Sequence, residues 1–179
     1  MTMQQLYLTV PLAPLAASIV VGLWGNRLGR AVSHWLCILG VAASMVASYF
    51  IFRDVMAGCA VRPGQGVWIT GDMIDAYTRL HRLGHAHSIE VWHNDMLAGG
   101  LYGVTVGGLF AGESMFTIVP DASKVALAFV VERLRERGFQ LFDVQFINDH
   151  TQRMGAIEIP RREYLRRLRR ALTVDATFA

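Results

Sequence analysis

Apolar positions fill the first third of the chain without the spacing of an amphipathic element. Asp, Glu, Lys and Arg are absent from Met1 to Asn26 and again from Ala31 to Phe52; before Gly58 the only charged side chains are Arg27, Arg30, Arg53 and Asp54. Both runs exceed the roughly 20 residues that a helix needs to cross about 30 Å of hydrocarbon. With Gly25 to Arg30 as a short turn, the pattern predicts a two-helix transmembrane hairpin over residues 1–57. Pro11 and Pro14 are tolerable there because a neighbouring helix can satisfy the carbonyls they free. Ala16, Ala17, Ser18 and Gly22, then Gly40, Ala42, Ala43, Ser44 and Ala47, are small enough for close helix approach. Trp24, Trp35 and Tyr49 lie near span ends. No Lys or Arg precedes Arg27, so cleavage as a signal peptide is not expected. A buried helical pair in a soluble protein is the alternative.

Beyond Gly58 the period changes. Thr70 can cap a helix with Met73, Ile74, Tyr77 and Leu80 on one stripe and Gly84 as its stop. Ser88 to His93 alternates as a strand, Asn94-Asp95 turns, and Leu97 to Val106 returns; Gly107-Gly108 leads into a third strand from Leu109 to Gly112. Asp121 is expected to cap a long helix with Val125, Leu127, Ala128, Val131 and Leu134 inward. A strand from Phe139 to Ile147, a loop through Asn148-Asp149-His150, and a helix opened by Pro160 and reaching about Leu172 complete the pattern. Meander, helix, strand, helix predicts an α/β (α+β) fold, with an acetyltransferase-like (GNAT-like) domain over residues 58–179.

Composition narrows this further. Among 179 residues, 53% are hydrophobic and 17% charged, so the chain can bury enough surface to order itself and disorder is excluded. Cys37 and Cys59 alone make neither a disulfide framework nor a zinc ribbon. His85, His87 and His150 lack the Cys or carboxylate spacing of a metal site, and no metal or cofactor is expected. The net charge of +3 permits an anionic partner without requiring one.

Three features could carry chemistry. In a strand from Phe139 to Ile147, Asp143 and Gln145 share a face about 7 Å apart. Buried unpaired they would be costly, so each needs a partner or a polar cleft; a polar cap on a nearby turn fits them as well. Glu113 follows a glycine in Gly112-Glu113-Ser114, either exposed toward a site or simply solvated in a loop. Arg161, Arg162, Arg166, Arg167, Arg169 and Arg170 stand against one acid, Glu163, which suits either nucleic-acid phosphates or a solvated basic face.

The phrases H-A-H-S-I-E-V-W (His85 to Trp92), G-G-L-Y-G-V (Gly99 to Val104), G-E-S-M-F (Gly112 to Phe116), F-D-V-Q-F-I-N-D-H (Phe142 to His150) and G-A-I-E-I-P-R-R-E-Y-L (Gly155 to Leu165) closely resemble the leucyl/phenylalanyl-tRNA–protein transferases. The resemblance runs from about Cys59 nearly to the C-terminus. It implies a cytoplasmic aminoacyltransferase that moves Leu or Phe from Leu-tRNA or Phe-tRNA onto an acceptor protein with N-terminal Arg or Lys, marking it for degradation. By the same resemblance Gln145 hydrogen-bonds the attacking amine and draws its proton, Asp143 polarises that Gln, and Glu113 helps hold the substrate. Trp68 would pack on the terminal adenine, Leu101 and Phe110 would form part of the apolar pocket for the Leu or Phe side chain, and Ser114 would bind substrate, although ordinary packing at a helix entry also accounts for Trp68, and core packing for Leu101 and Phe110. Arg161, Arg162, Arg166 and Arg169 would face the tRNA. A coenzyme A acetyltransferase is set aside, because Thr117 to Asp121 offers no glycine-rich turn for a pyrophosphate.

The stretch from Met1 to Gly58 instead resembles the start of subunit L of bacterial NADH-quinone oxidoreductase. None of the intramembrane Lys, Glu or His relay residues that proton movement needs is visible in its spans, where His34 is the one ionisable group, so the hairpin alone is not expected to pump. The family's own N-terminal domain is then expected to be missing. Arg27 and Arg30 argue for a cytoplasmic turn, which would put residues 58 onward across the membrane from any tRNA. A fused reading frame without function, or a membrane-embedded fragment of a respiratory subunit, is therefore the alternative to a truncated, weakened transferase.

Overall fold

A computed structural model of the chain describes residues 3–61 and 69–178. Its backbone forms two units, Met1–Arg53 and Asp54–Ala179.

The first unit consists of most of helix α1 (Met3–Ala60), interrupted at Gly29, whose φ of 78° and ψ of 161° are not helical. Glycine adopts that conformation without a Cβ penalty. The two arms then pack on each other. Pro14 has no N–H to offer the carbonyl four residues back, that of Val10, and the Ser44 hydroxyl of the second arm donates to that oxygen at 2.8 Å. A Cβ on Gly40 would stand 2.9 Å from both the Ala13 carbonyl oxygen and the Ala17 Cβ, so close approach depends on a small residue there. Leu12, Leu15, Ile19, Leu23, Leu39, Val41 and Met45 remain exposed around the arms. Among the described residues one helical stretch, Gln5–Ala60, is long and apolar enough to cross a membrane.

The second unit is mixed α and β. Helix α2 (Gly71–Arg82) is capped as expected: Thr70 Oγ1 accepts from the Met73 N–H, and Gly84 leaves the helix at φ 80°. Strands β1 (Ala86–His93), β2 (Met96–Val106) and β3 (Leu109–Thr117) form an antiparallel meander. Asn94 and Asp95, at φ 49° and 60°, make the two-residue turn whose twist suits a hairpin. Helix α3 (Ala122–Glu136) crosses back, and β4 (Leu141–Asp143) pairs with β3 in parallel, giving the sheet order β1-β2-β3-β4. Two helices complete the unit, α4 (Asp149–Arg153) and α5 (Arg161–Ala171).

One face of the sheet meets α3 in a core of Ile89, Leu101, Phe110, Ala126, Leu127, Val130 and Leu134. The inward face of α3 is thus Ala122, Ala126, Leu127, Val130 and Leu134, whereas Val125 and Ala128 face outward. The helix is apolar over so much of its circumference that periodicity alone misplaces its stripe. Asp121 sits in the left-handed region at φ 69° and makes no side-chain cap; its carboxylate pairs with Lys124 instead. The opposite face of the sheet carries Tyr102, met edge-on by Tyr77 of α2, and Phe116, whose ring lies against Gly58.

Two departures from the expected strands reshape the surroundings of Glu113 and Gln145. The third strand runs five residues past Gly112, to Thr117. The fourth is three residues long rather than nine, and the expected loop at 148–150 is instead the start of α4, where Asn148 and Thr151 cap each other reciprocally.

Candidate active site

The register of β2 and β3 shifts between Tyr102 and Gly103, whose partners are Ser114 and Gly112. Glu113 is the extra residue, and a bulge re-aims the side chain that it leaves out of the ladder. At the neighbouring position β4 ends: Asp143 stands opposite Ala111, and the chain leaves the sheet. Gln145 is at φ 64°, and the Phe146 N–H donates to the Val144 carbonyl across it at 2.7 Å. This is a three-residue turn of the rarer, positive-φ kind, which is strained for a residue with a side chain.

The expected shared strand face of Asp143 and Gln145 is therefore not the reason they lie together. The turn brings them together instead. Asp143 Oδ1 accepts from the Gln145 backbone N–H at 2.8 Å, and the Gln145 carboxamide nitrogen reaches across to donate to Glu113 Oε2 at 3.1 Å. Because a carboxylate only accepts, the carboxamide is oriented with its NH2 on Glu113 and its oxygen free to accept from something else.

Two tyrosines anchor the carboxylates from outside. The Tyr164 hydroxyl of α5 donates to Asp143 Oδ2 at 2.6 Å, and that bond, with some burial and the adjacent charge, pushes its phenol up to about 12. Tyr77 of α2 hydrogen-bonds Glu113; burial first, then the carboxylate's charge and the bond itself, raise its phenol to about 12 as well. Sequence reasoning misses both. Tyr77 stands among the apolar positions of α2 and Tyr164 inside a family phrase; the one available signal is a polar tip on an otherwise inward-facing ring.

A cleft of about 1230 Å³ opens beside this group. One bank is the continuous run 112–118, from Gly112 to Ile118; the other holds Phe142, Val144, Gln145, Phe146, Asn148, His150 and Thr151, with Ala57, Gly58 and Val61 also on its wall. His150 Nε2 is buried there without a hydrogen-bond partner among the described residues.

The remaining expected site residues separate into groups. Ser114 and Leu101 line the cleft, Leu101 while almost wholly buried. Phe110 does not line it; it lies fully buried in the core, edge-on to Phe142 and stacked on Phe178. Trp68 falls outside the described residues. Arg161, Arg162, Arg166 and Arg169 all lie exposed on α5. Arg166 is held by Glu163 through two bonds of 2.7 and 2.9 Å, and Arg167 by a third of 2.8 Å. These bonds hold the Glu163 carboxyl down at about 2. His87 is stacked on Phe178, and burial together with nearby His81 lowers it to about 4.

The family model described as leucyl/phenylalanyl-tRNA protein transferase matches residues 43–169. The chain belongs to this family. It is similar to the leucyl/phenylalanyl-tRNA–protein transferase of Anaeromyxobacter sp. (strain K), 60% identical over 124 residues that make up 68% of this chain and 53% of that protein. The transferase of Shigella sonnei (strain Ss046) is 53% identical over 120 residues, 67% of this chain and 51% of its own. That of Ruegeria pomeroyi (strain ATCC 700808 / DSM 15171 / DSS-3) is 53% identical over 128 residues, 72% and 60%. The chain spans about half the length of the curated relatives it matches. The family match takes in Glu113, Asp143, Gln145, Tyr77 and Tyr164. It also begins at residue 43, so the end of α1, assigned from sequence to the respiratory-subunit resemblance, falls inside the transferase match.

Proposed function

We propose that the second unit transfers Leu or Phe from Leu-tRNA or Phe-tRNA to the N-terminal Arg or Lys of an acceptor protein. The observation that carries this reading is the contact between Gln145 and Glu113, both of which line the cleft. The reaction is aminolysis of an ester: a neutral α-amine attacks the aminoacyl carbonyl, the C–N bond forms, the C–O bond to the terminal ribose breaks, and the amine's proton ends on the departing ribose oxygen. An amide oxygen is too weak a base to remove that proton, but it can hold the amine's N–H in line with the carbonyl. With its NH2 tied to Glu113, the Gln145 carboxamide presents that oxygen and is polarised by the carboxylate. Asp143 takes a different part from the one the family resemblance implied: it fixes the strained turn through the backbone N–H rather than touching the carboxamide.

Glu113 also suits an acceptor with a cationic first side chain. The apolar wall of Leu101, Met115 and Phe116 suits a Leu or Phe side chain, selecting by size only weakly. The exposed arginines of α5 would take the phosphates of the tRNA. The meander followed by a parallel fourth strand is the arrangement expected of an acetyltransferase-like domain. For the first unit we keep the membrane hairpin, because large apolar side chains cover both arms outwardly and so call for an apolar surrounding. Transfer chemistry then requires the cytoplasmic side for residues 54–179, against the orientation that Arg27 and Arg30 favour.

The test is leucine transfer from charged tRNA to a peptide with N-terminal Arg. Gln145→Ala and Asp143→Ala should abolish or sharply reduce transfer, whereas removal of residues 1–42, which precede the family match, should leave it. Equal activity of Gln145→Ala and the unaltered chain would refute the assignment.

A further inference from the structure

β3 extends six residues beyond the point where its parallel neighbour stops. Successive side chains of a strand point to opposite faces, so a cavity touching all of 112–118 runs along the strand's edge rather than over one face. The backbone alternation agrees. Thr105 N–H donates to His85, and Ile118 N–H to the Ala98 carbonyl, so odd positions of β2 bond to β1 and even ones to β3. The partners of Gly100 and Tyr102 are Phe116 and Ser114; Met115 and Thr117 therefore direct their backbone N–H and C=O outward, into the cleft.

We propose that the acceptor peptide binds as an added strand, parallel to β3, in the lane that β4 leaves beyond Asp143; this rests on the transferase reading above. Gln145 and Glu113 stand at the end of the lane where β4 stops. An α-amine held there leaves the rest of the peptide to run toward Thr117, in the direction of β3 itself, over about 20 Å for six residues. Glu113 meets the cationic start of such a peptide, while Phe146 and Ile118, 79% and 70% exposed, flank the lane with uncovered apolar surface for its later side chains. Main-chain pairing would make binding depend on the first residue and little on the residues after it, which suits an enzyme acting on many acceptors.

The test uses the full chain in detergent and a six-residue peptide with N-terminal Arg, fluorescently labelled at its C-terminus and N-methylated at each backbone amide in turn. In a parallel lane, alternate peptide residues turn their amides to β3. Anisotropy titrations should therefore show binding about tenfold weaker at every second amide and little changed between them. Uniform tolerance, or loss without alternation, overturns strand addition while leaving the transferase reading in place. Failure of the unmodified peptide to bind, or equal binding after its α-amine is acetylated, overturns the transferase reading and the lane with it.

Discussion

Asp143→Ala removes the acceptor that holds the Gln145 turn, and the expected loss is set by two opposing quantities. A side-chain-bearing residue at a φ of 64° lies in a sparsely populated region that costs about 1–3 kcal/mol. Opposing that, a hydrogen bond to an ionised acceptor contributes about 1.5–3 kcal/mol, and Gln145 is exposed, so the lower end applies. Without about 1.5 kcal/mol from this bond, the conformation that points the carboxamide at Glu113 should be populated roughly tenfold less. Asp143 also accepts from Tyr164, whose release loosens α5 at the same point. Leucine transfer to an Arg-peptide should then fall by roughly ten- to a hundredfold while the melting temperature drops by less than about 5 °C, since the turn is local. Asp143→Asn keeps an oxygen for the Gln145 N–H and should lose only about threefold. Single-turnover transfer with both variants, alongside thermal melts, reads these outcomes. If Asn loses as much as Ala, the carboxylate acts through its charge and not through the turn. If Ala loses nothing, the turn has no part in catalysis.

Folding raises the phenols of Tyr77 and Tyr164 from 10.0 to about 12, so what their neutral donors contribute is whole below pH 10 and is lost as pH rises toward 12; absorbance at 295 nm should show two late ionisations, and Tyr164→Phe should delete one. Glu163→Gln should release Arg166 and Arg167 for phosphate, tightening tRNA binding at low salt and steepening log K against log salt by up to about 0.9 per arginine. Gly58→Ala would place a Cβ 2.7 Å from the Phe116 ring on the cleft wall, and should destabilise the second unit by about 1–3 kcal/mol in a urea melt.

Those consequences rest on elements of unequal legibility. Most caps and turns with their own side-chain chemistry are readable: Thr70, Gly84, Asn94-Asp95 and Pro160 stand where their residue types place them, because each acts locally, whereas Asp121 pairs with Lys124 instead of capping α3. The tight pairing of the two arms is readable too, since Pro14 frees a carbonyl and small residues invite a neighbour. Inferences that need tertiary context fail. The inward face of α3 is ambiguous because Val125, Leu127, Ala128, Phe129, Val130 and Val131 nearly encircle the helix. The long fourth strand is suggested by alternation through Phe142, Val144 and Phe146, yet Phe146 lies exposed in the turn beyond it.

That last error bears on the chemistry. Alternation puts Asp143 and Gln145 on one face of a strand, with the carboxylate beside the carboxamide. The structure reaches the same neighbourhood by other means: a bulge frees Glu113 from β3, and a strained turn swings Gln145 toward it. Neither event has a period, so neither can be read from spacing. The difference matters because a strand would fix both residues through its ladder, whereas a turn depends on a single carboxylate and the tyrosine behind it. Substitutions at Asp143 and Tyr164 should therefore act on the orientation of Gln145 before they act on stability, since the carboxamide donates to Glu113 while Asp143 accepts from the backbone N–H.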